Sequence, residues 1–320
     1  MNTIAPTVAE RGHHLPQLQG KLFLTDGGLE TTLVFLDGID LPHFAAIDML
    51  RQEGGREQLV DYFETYLAIA HEAGAGFVLE SVTWRASADW AEPLGLSQSE
   101  LDALNREAIG MLHELREKHQ TEATPVVISG CIGPRGDGYD PGALMSAEEA
   151  RAYHAHQIGI FREAGADLAT AITMNNIPEA AGIALAAKDA GLPVAISFTV
   201  ETDGRLPTGD TLAEAIGAVD DATGGYPAYY MINCAHPTHF AGALADGEAW
   251  VERIRGIRAN ASKCSHAELD EAIELDSGNP EELGQDYGRL LERLPKVGVV
   301  GGCCGTDHRH VAAIAKTLCG

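Results

Sequence analysis

Cys303 and Cys304 stand side by side in Val297-Gly-Val-Val-Gly-Gly-Cys-Cys-Gly-Thr306, an apolar run that ends in a glycine-rich turn. A third thiol, Cys234, closes a second apolar run in Tyr229-Tyr-Met-Ile-Asn-Cys-Ala-His-Pro237. Packed core thiols are the ordinary reading of such cysteines, and adjacent ones join in a disulfide only under strain. Soft thiolates favour zinc, and three protein ligands leave the fourth tetrahedral position free for a substrate, whereas structural sites fill all four. A substrate thiol taken up there would lose its proton near neutral pH and become a nucleophile toward carbon. Residue type and position therefore point to one Zn2+ held by Cys234, Cys303 and Cys304.

The other cysteines have different settings. Cys131 ends an apolar run, Cys264 lies in a polar stretch and Cys319 is almost terminal, so none of them is expected to be a ligand. His236 and His239 follow Cys234, and His308 and His310 follow the doublet. A histidine ligand would need a ring nitrogen aimed at the same centre. His236 is read as a pocket or supporting residue, and the others as surface or helix-start positions.

Cys234 and the doublet can meet only if both runs end on one rim of the fold. Short apolar runs alternate with longer amphipathic stretches along the whole chain, the pattern of repeated βα units around a parallel sheet. Strands are expected at Leu22–Thr25, Gly76–Val82, Pro125–Cys131, Asp167–Thr173, Pro193–Thr199, Ala228–Asn233, Ile254–Ala259 and Val297–Val300. Helices are expected at Gln58–Ala73, Glu100–His119, Ala147–Ala164, Ile177–Ala190, Thr211–Ala218 and Glu281–Leu294, with Ser99, Ser146 and Asp210 as N-caps. Eight units predict a single-domain α/β fold, a (β/α)8 TIM barrel over residues 20–320 behind an N-terminal surface arm at 1–19; an open doubly wound sheet is the alternative. The polar stretch Ser262–Asn279 is expected to be a long loop after the seventh strand.

These two thiol segments, with Thr25-Asp-Gly-Gly-Leu-Glu30, resemble the homocysteine S-methyltransferase family, which carries the same asparagine-cysteine and glycine-glycine-cysteine-cysteine-glycine-threonine signatures. Weaker agreement runs through Thr83-Trp-Arg-Ala-Ser87, Ser129-Gly-Cys-Ile-Gly-Pro134 and Ile196-Ser-Phe-Thr199. The resemblance implies zinc on Cys234, Cys303 and Cys304, and methyl transfer to a small thiol, homocysteine first, to give methionine. It also implies that Asp26 holds the substrate ammonium and the backbone N–H near Gly27 its carboxylate, with Ser81 or Thr83 adding a hydroxyl.

The match is broken in Asp167-Leu-Ala-Thr-Ala-Ile-Thr-Met174, where Ile172 stands at the family's glutamate and Thr173 is retained. Isoleucine cannot accept a hydrogen bond or offset an ammonium charge. Glu201, after the fifth strand, is the candidate replacement, with a solvated loop acid as its ordinary reading; Glu80 and Arg85 are further departures, and Arg85 is a candidate partner for a carboxylate. The donor should carry a positive charge that transfer removes, as a sulfonium or a betaine does. Trp84, Tyr229 and Tyr230 are candidates for cradling it.

With 22 basic and 47 acidic residues the net charge is -25, which repels nucleic acid and anionic membranes. No run suits a membrane span and residues 1–19 lack a secretory pattern, so a cytoplasmic protein is expected, its oligomeric state unspecified. Two rival readings remain: a phosphate-binding turn at Val300–Gly305, and a zinc- or thiol-binding barrel without catalysis.

Overall fold

The computed structural model describes residues 15–244 and 247–320. All eight expected strands form: β1 Phe23–Leu24, β2 Gly76–Glu80, β3 Val126–Ile132, β4 Leu168–Met174, β5 Val194–Phe198, β6 Tyr229–Asn233, β7 Ile254–Ala259 and β8 Val299–Gly302. They pair in parallel in sequence order, and β8 returns to β1, so the sheet is a closed barrel and the open-sheet alternative falls. Closure removes both sheet edges, which leaves the strand ends as the places where polar side chains can project into a shared cavity.

The helices between them are α1 Gly55–Ala73, α2 Gln98–His119, α3 Ala147–Glu163, α4 Ile177–Ala190, α5 Leu212–Thr223, α6 Pro237–Phe240, α7 Pro280–Arg293 and α8 His308–Cys319. Capping boxes closed by a glutamate set three of their starts, Ser97 with Glu100, Ser146 with Glu149 and Thr211 with Glu214, and one closed by His310 sets that of α8. Ser99 and Asp210 therefore do not cap. In each case the residue that fits is the one three before a glutamate, because only that spacing satisfies both orphan N–H groups. The long loop after β7 holds a further short helix, His266–Asp270.

Inside the barrel, Phe23, Val78, Val127, Leu168, Ala195, Tyr229, Met231 and Val299 form a closed apolar layer. Side chains alternate across a strand, so the residue two positions on faces the same interior. That position holds Thr25, Glu80, Ser129, Thr170, Ser197 and Asn233, all buried. A polar storey thus lies above an apolar floor and below the strand ends. The described end of the expected arm does not run over the surface: Leu15 is buried against the apolar layer and Gln17 is 2 % exposed. Among the described residues no helix is long and apolar enough to cross a membrane.

Candidate metal centre

Cys234 follows the last residue of β6 with φ 52°, a left-handed backbone rare for a side chain with a Cβ. Its N–H donates to the carbonyl of Arg258 (3.1 Å), and the Cys234 carbonyl accepts from Nδ2 of Asn260 (3.1 Å). Thr173, at φ 63° in the last turn of β4, shares the strain; its N–H donates to Oδ1 of Asn233 (3.0 Å) and its hydroxyl accepts from Nδ2 of the same side chain (2.9 Å). Strained residues of this kind persist where the surroundings over-determine them, and here two strand ends are tied by one asparagine.

The doublet is set by the turn after β8. The N–H of Cys303 donates to the carbonyl of Ala259 (2.9 Å), and the hydroxyl of Thr306 donates to the carbonyl of Cys303 (2.7 Å). A Cβ on Gly302 would stand 1.9 Å from Oγ1 of Thr306, so this glycine is required for the turn to close. Asp307 then caps α8.

The result is convergence of the three sulfurs: Cys234, Cys303 and Cys304 present Sγ atoms that all lie within 4.8 Å of one another. Cys234 and Cys303 are joined in a disulfide, while Cys304 stands outside that bond with its sulfur 3.9 Å from that of Cys234. Thiols read from the sequence as reduced are thus partly oxidised here, because the same proximity that suits a shared metal also suits an S–S bond. The Cys304 spacing is close to the edge of about 3.8 Å that a tetrahedron with Zn–S bonds of about 2.3 Å requires. The donor set fits a soft cation once the disulfide is reduced.

The sulfurs open onto a cavity of about 390 Å3. Its wall includes Asp26, Glu30, Glu80, Arg85 and Arg258 among charged residues, and Phe35, Phe44, Val82, Trp84 and Ile172 among apolar ones. Arg258, on β7, is 8 % exposed and is the hub. Its Nη2 lies 2.7 Å from Oδ1 of Asp26, its Nε donates to the carbonyl of Gly302 (3.0 Å), and its Nη1 is 3.9 Å from Oε2 of Glu80. Oδ2 of Asp26 accepts from the hydroxyl of Tyr62 (3.1 Å). Burial pushes the Asp26 carboxyl above the usual carboxylate range although Arg258 opposes this, and burial likewise pushes Glu80 to about 7 and Glu30 to about 7.

Other expected site residues fall in several places. Gly27 lines the cavity, and a Cβ there would lie 2.7 Å from the hydroxyl of Tyr66 and 2.9 Å from the carbonyl of Thr306. Ser81 is on the wall; Thr83 is not, being fully buried, bonded to Ser81 (2.6 Å) and to the carbonyl of Cys131 (2.7 Å). Glu201 faces His266 (3.2 Å), which in turn donates to the carbonyl of Cys234 (2.6 Å), so the glutamate stands behind Cys234 and off the cavity wall. His236 turns away from the sulfurs: Nδ1 accepts from the N–H of Thr238 as the N-cap of α6, Nε2 sits 3.7 Å from Asp286, and burial pulls the ring down to about 4.

Of the aromatic candidates only Trp84 lines the cavity, and the Arg85 guanidinium lies 5.0 Å from its ring. Tyr229 belongs to the apolar layer, and Tyr230 faces outward, bonded to Asp220 and covered by Arg253, so strand alternation removes both from a cation-binding role. Arg258 was the residue missed. The run Ile254–Ala259 carries two arginines, and Arg258, unlike Arg255, stands two positions from Gly256 on the face that packs inward against Met231, which is the signal that could have found it. Tyr139, whose hydroxyl is 3.7 Å from Sγ of Cys304, carried no such signal because it comes from a loop.

The model of the homocysteine S-methyltransferase family matches residues 23–318, nearly the whole barrel and both thiol segments. The chain belongs to the homocysteine S-methyltransferase family. It is a methyltransferase of that family on its coverage of full-length relatives: it is 24% identical to homocysteine S-methyltransferase 4 of Zea mays over 77% of this chain and 76% of that protein. The solved homocysteine methyltransferase MmuM from Escherichia coli shares the fold, with TM-scores of 0.73 for its oxidized form and 0.71 for its metallated form, at 20% identity over 96% of this chain and 99% of that one. The phosphate-binding reading of the turn at Val300–Gly305 is set aside by this membership, since the doublet is part of the matched region.

Proposed function

We propose that the protein is a zinc-dependent methyltransferase that moves a methyl group from a sulfonium or betaine-type donor to homocysteine, forming methionine in the cytoplasm. The observation that supports this reading most is the convergence of Cys234, Cys303 and Cys304 on the wall of one cavity. Zinc bound there supplies a Lewis acid that favours the thiolate form of a coordinated thiol at neutral pH.

The rest of the reaction falls to the chain. Sulfur of the acceptor loses its proton and forms a bond to the methyl carbon, while the bond from that carbon to the donor breaks and its electron pair returns to the donor heteroatom. The onium charge disappears, which favours a weakly polar surround; Phe35, Phe44, Val82 and Trp84 furnish one. Asn233, whose Nδ2 lies 3.8 Å from Sγ of Cys303, and His266, bonded to the Cys234 carbonyl, hold the ligands in position. That Arg85 lines the cavity with its Nε unpartnered supports its role as the partner of the acceptor carboxylate.

Reduced, zinc-loaded protein incubated with homocysteine and a panel comprising S-methylmethionine, S-adenosylmethionine and glycine betaine tests the reading. Methionine formation with at least one donor is expected. Zinc binding without methionine formation from any donor would overturn it and leave a thiol-binding barrel.

A further inference from the structure

The glutamate that Ile172 replaces leaves the cavity without one carboxylate, yet the polar storey beneath the sulfurs holds another. Glu80, the last residue of β2, points into the barrel two positions above Val78 of the apolar layer. It is 6 % exposed and lines the cavity, and its Oε2 has no hydrogen-bond partner. A buried acceptor left unmade is costly, and groups of this kind in a cavity wall are where a ligand completes the pairing.

Charge counting gives the sign of that ligand. Among the described residues Arg258 is the one cation in contact with both Asp26 and Glu80. With all three ionised the cluster carries one net negative charge. Asp26 is already engaged at both oxygens, by Arg258 and by Tyr62, whereas Glu80 is held by the hydroxyls of Thr170 and Ser129 and its Oε2 keeps only a 3.9 Å approach to Arg258. One further positive charge at Oε2 of Glu80 would balance the cluster, and the raised affinity of this carboxyl for a proton is the same deficit seen from the acid side.

We infer that Glu80 is the specificity-determining residue that receives the ammonium group of an α-amino thiol acceptor, in place of a carboxylate at position 172. The inference rests on the methyl-transfer reading for the identity of the acceptor, and on Glu80, Arg258 and Asp26 for its geometry. Arg258 holds Asp26 and leaves the free oxygen of Glu80 as the contact that separates an amino-acid thiol from its deaminated counterpart.

Equilibrium binding of homocysteine and of 4-mercaptobutyrate, which lacks only the amino group, to the reduced zinc form of the wild type and of Glu80→Gln tests this by calorimetry at pH 8. The wild type should prefer homocysteine by about ten- to a hundredfold, the range of one charge-assisted hydrogen bond, and E80Q should lose most of that preference. Glu80→Asp, which keeps the charge, should retain part of it. Equal affinity of the wild type for both thiols overturns the inference with no substitution needed to fold, and so does a preference that survives in E80Q. A preference lost in E80Q, with no donor giving methionine, would sustain the ammonium site and overturn only the methyl-transfer reading.

Discussion

Nη2 of Arg258 and Oδ1 of Asp26, reaching from the two strands that flank β8, meet at 2.7 Å, 232 residues apart in sequence and both buried. A buried pair of this kind is expensive to break from one side, because the abandoned charge has no water to return to. Arg258→Met should lower stability by about 3–5 kcal/mol in urea unfolding. The double variant with Asp26→Asn should recover a good part of that loss. An additive double variant would show that the two side chains do not act as a pair.

The sulfur geometry predicts thiol counts. Without reductant, denatured protein should titrate four thiols, corresponding to Cys131, Cys264, Cys304 and Cys319, and six after reduction. Zinc uptake should follow the reduced form at one ion per chain. Six thiols in unreduced protein under non-exchanging conditions would show that Cys234 and Cys303 are not joined.

Ligand substitutions should separate the cysteines. Cys303→Ser should abolish stoichiometric zinc binding as measured by atomic emission. Cys131→Ser should leave it intact, because Cys131 lines the cavity but stands outside the three-sulfur group. Equal zinc content in all three proteins would refute the assignment.

Glu80 gives a pH signature in the ligand-free protein. Its carboxyl rises from 4.5 to about 7 on folding, so between these values the folded chain binds a proton that the unfolded chain does not. Stability from this group is complete below pH 4.5 and is lost as pH rises to about 7, a loss of about 3 kcal/mol if the shift is fully expressed. Glu80→Gln stays neutral throughout, so its stability relative to the wild type should climb across that window in urea unfolding. A constant difference from pH 4.5 to 8 would contradict the buried acid.

Gly302→Ala sets a Cβ against the Thr306 hydroxyl that anchors Cys303. A destabilisation of about 1–3 kcal/mol is expected in urea unfolding, together with weaker zinc retention under competition by a chelator. Unchanged retention would show that the turn tolerates the shift.

The sequence by itself determined the barrel and its metal-ligand candidates, because both are local signals. Strand and helix periods repeat along the chain, and Cys234, Cys303 and Cys304 each close a strand, so one rim had to collect them. Capping was legible only within a residue or two, as Ser97 and Thr211 show. Tertiary structure alone decided what the cavity reads. Whether Glu201 or Glu80 faces the pocket depends on strand alternation and on a loop helix, and it favoured Glu80, since His266 takes Glu201 behind Cys234. The pairing of Arg258 with Asp26 was invisible in the chain because charges from β7 and the end of β1 meet only when the sheet closes on itself.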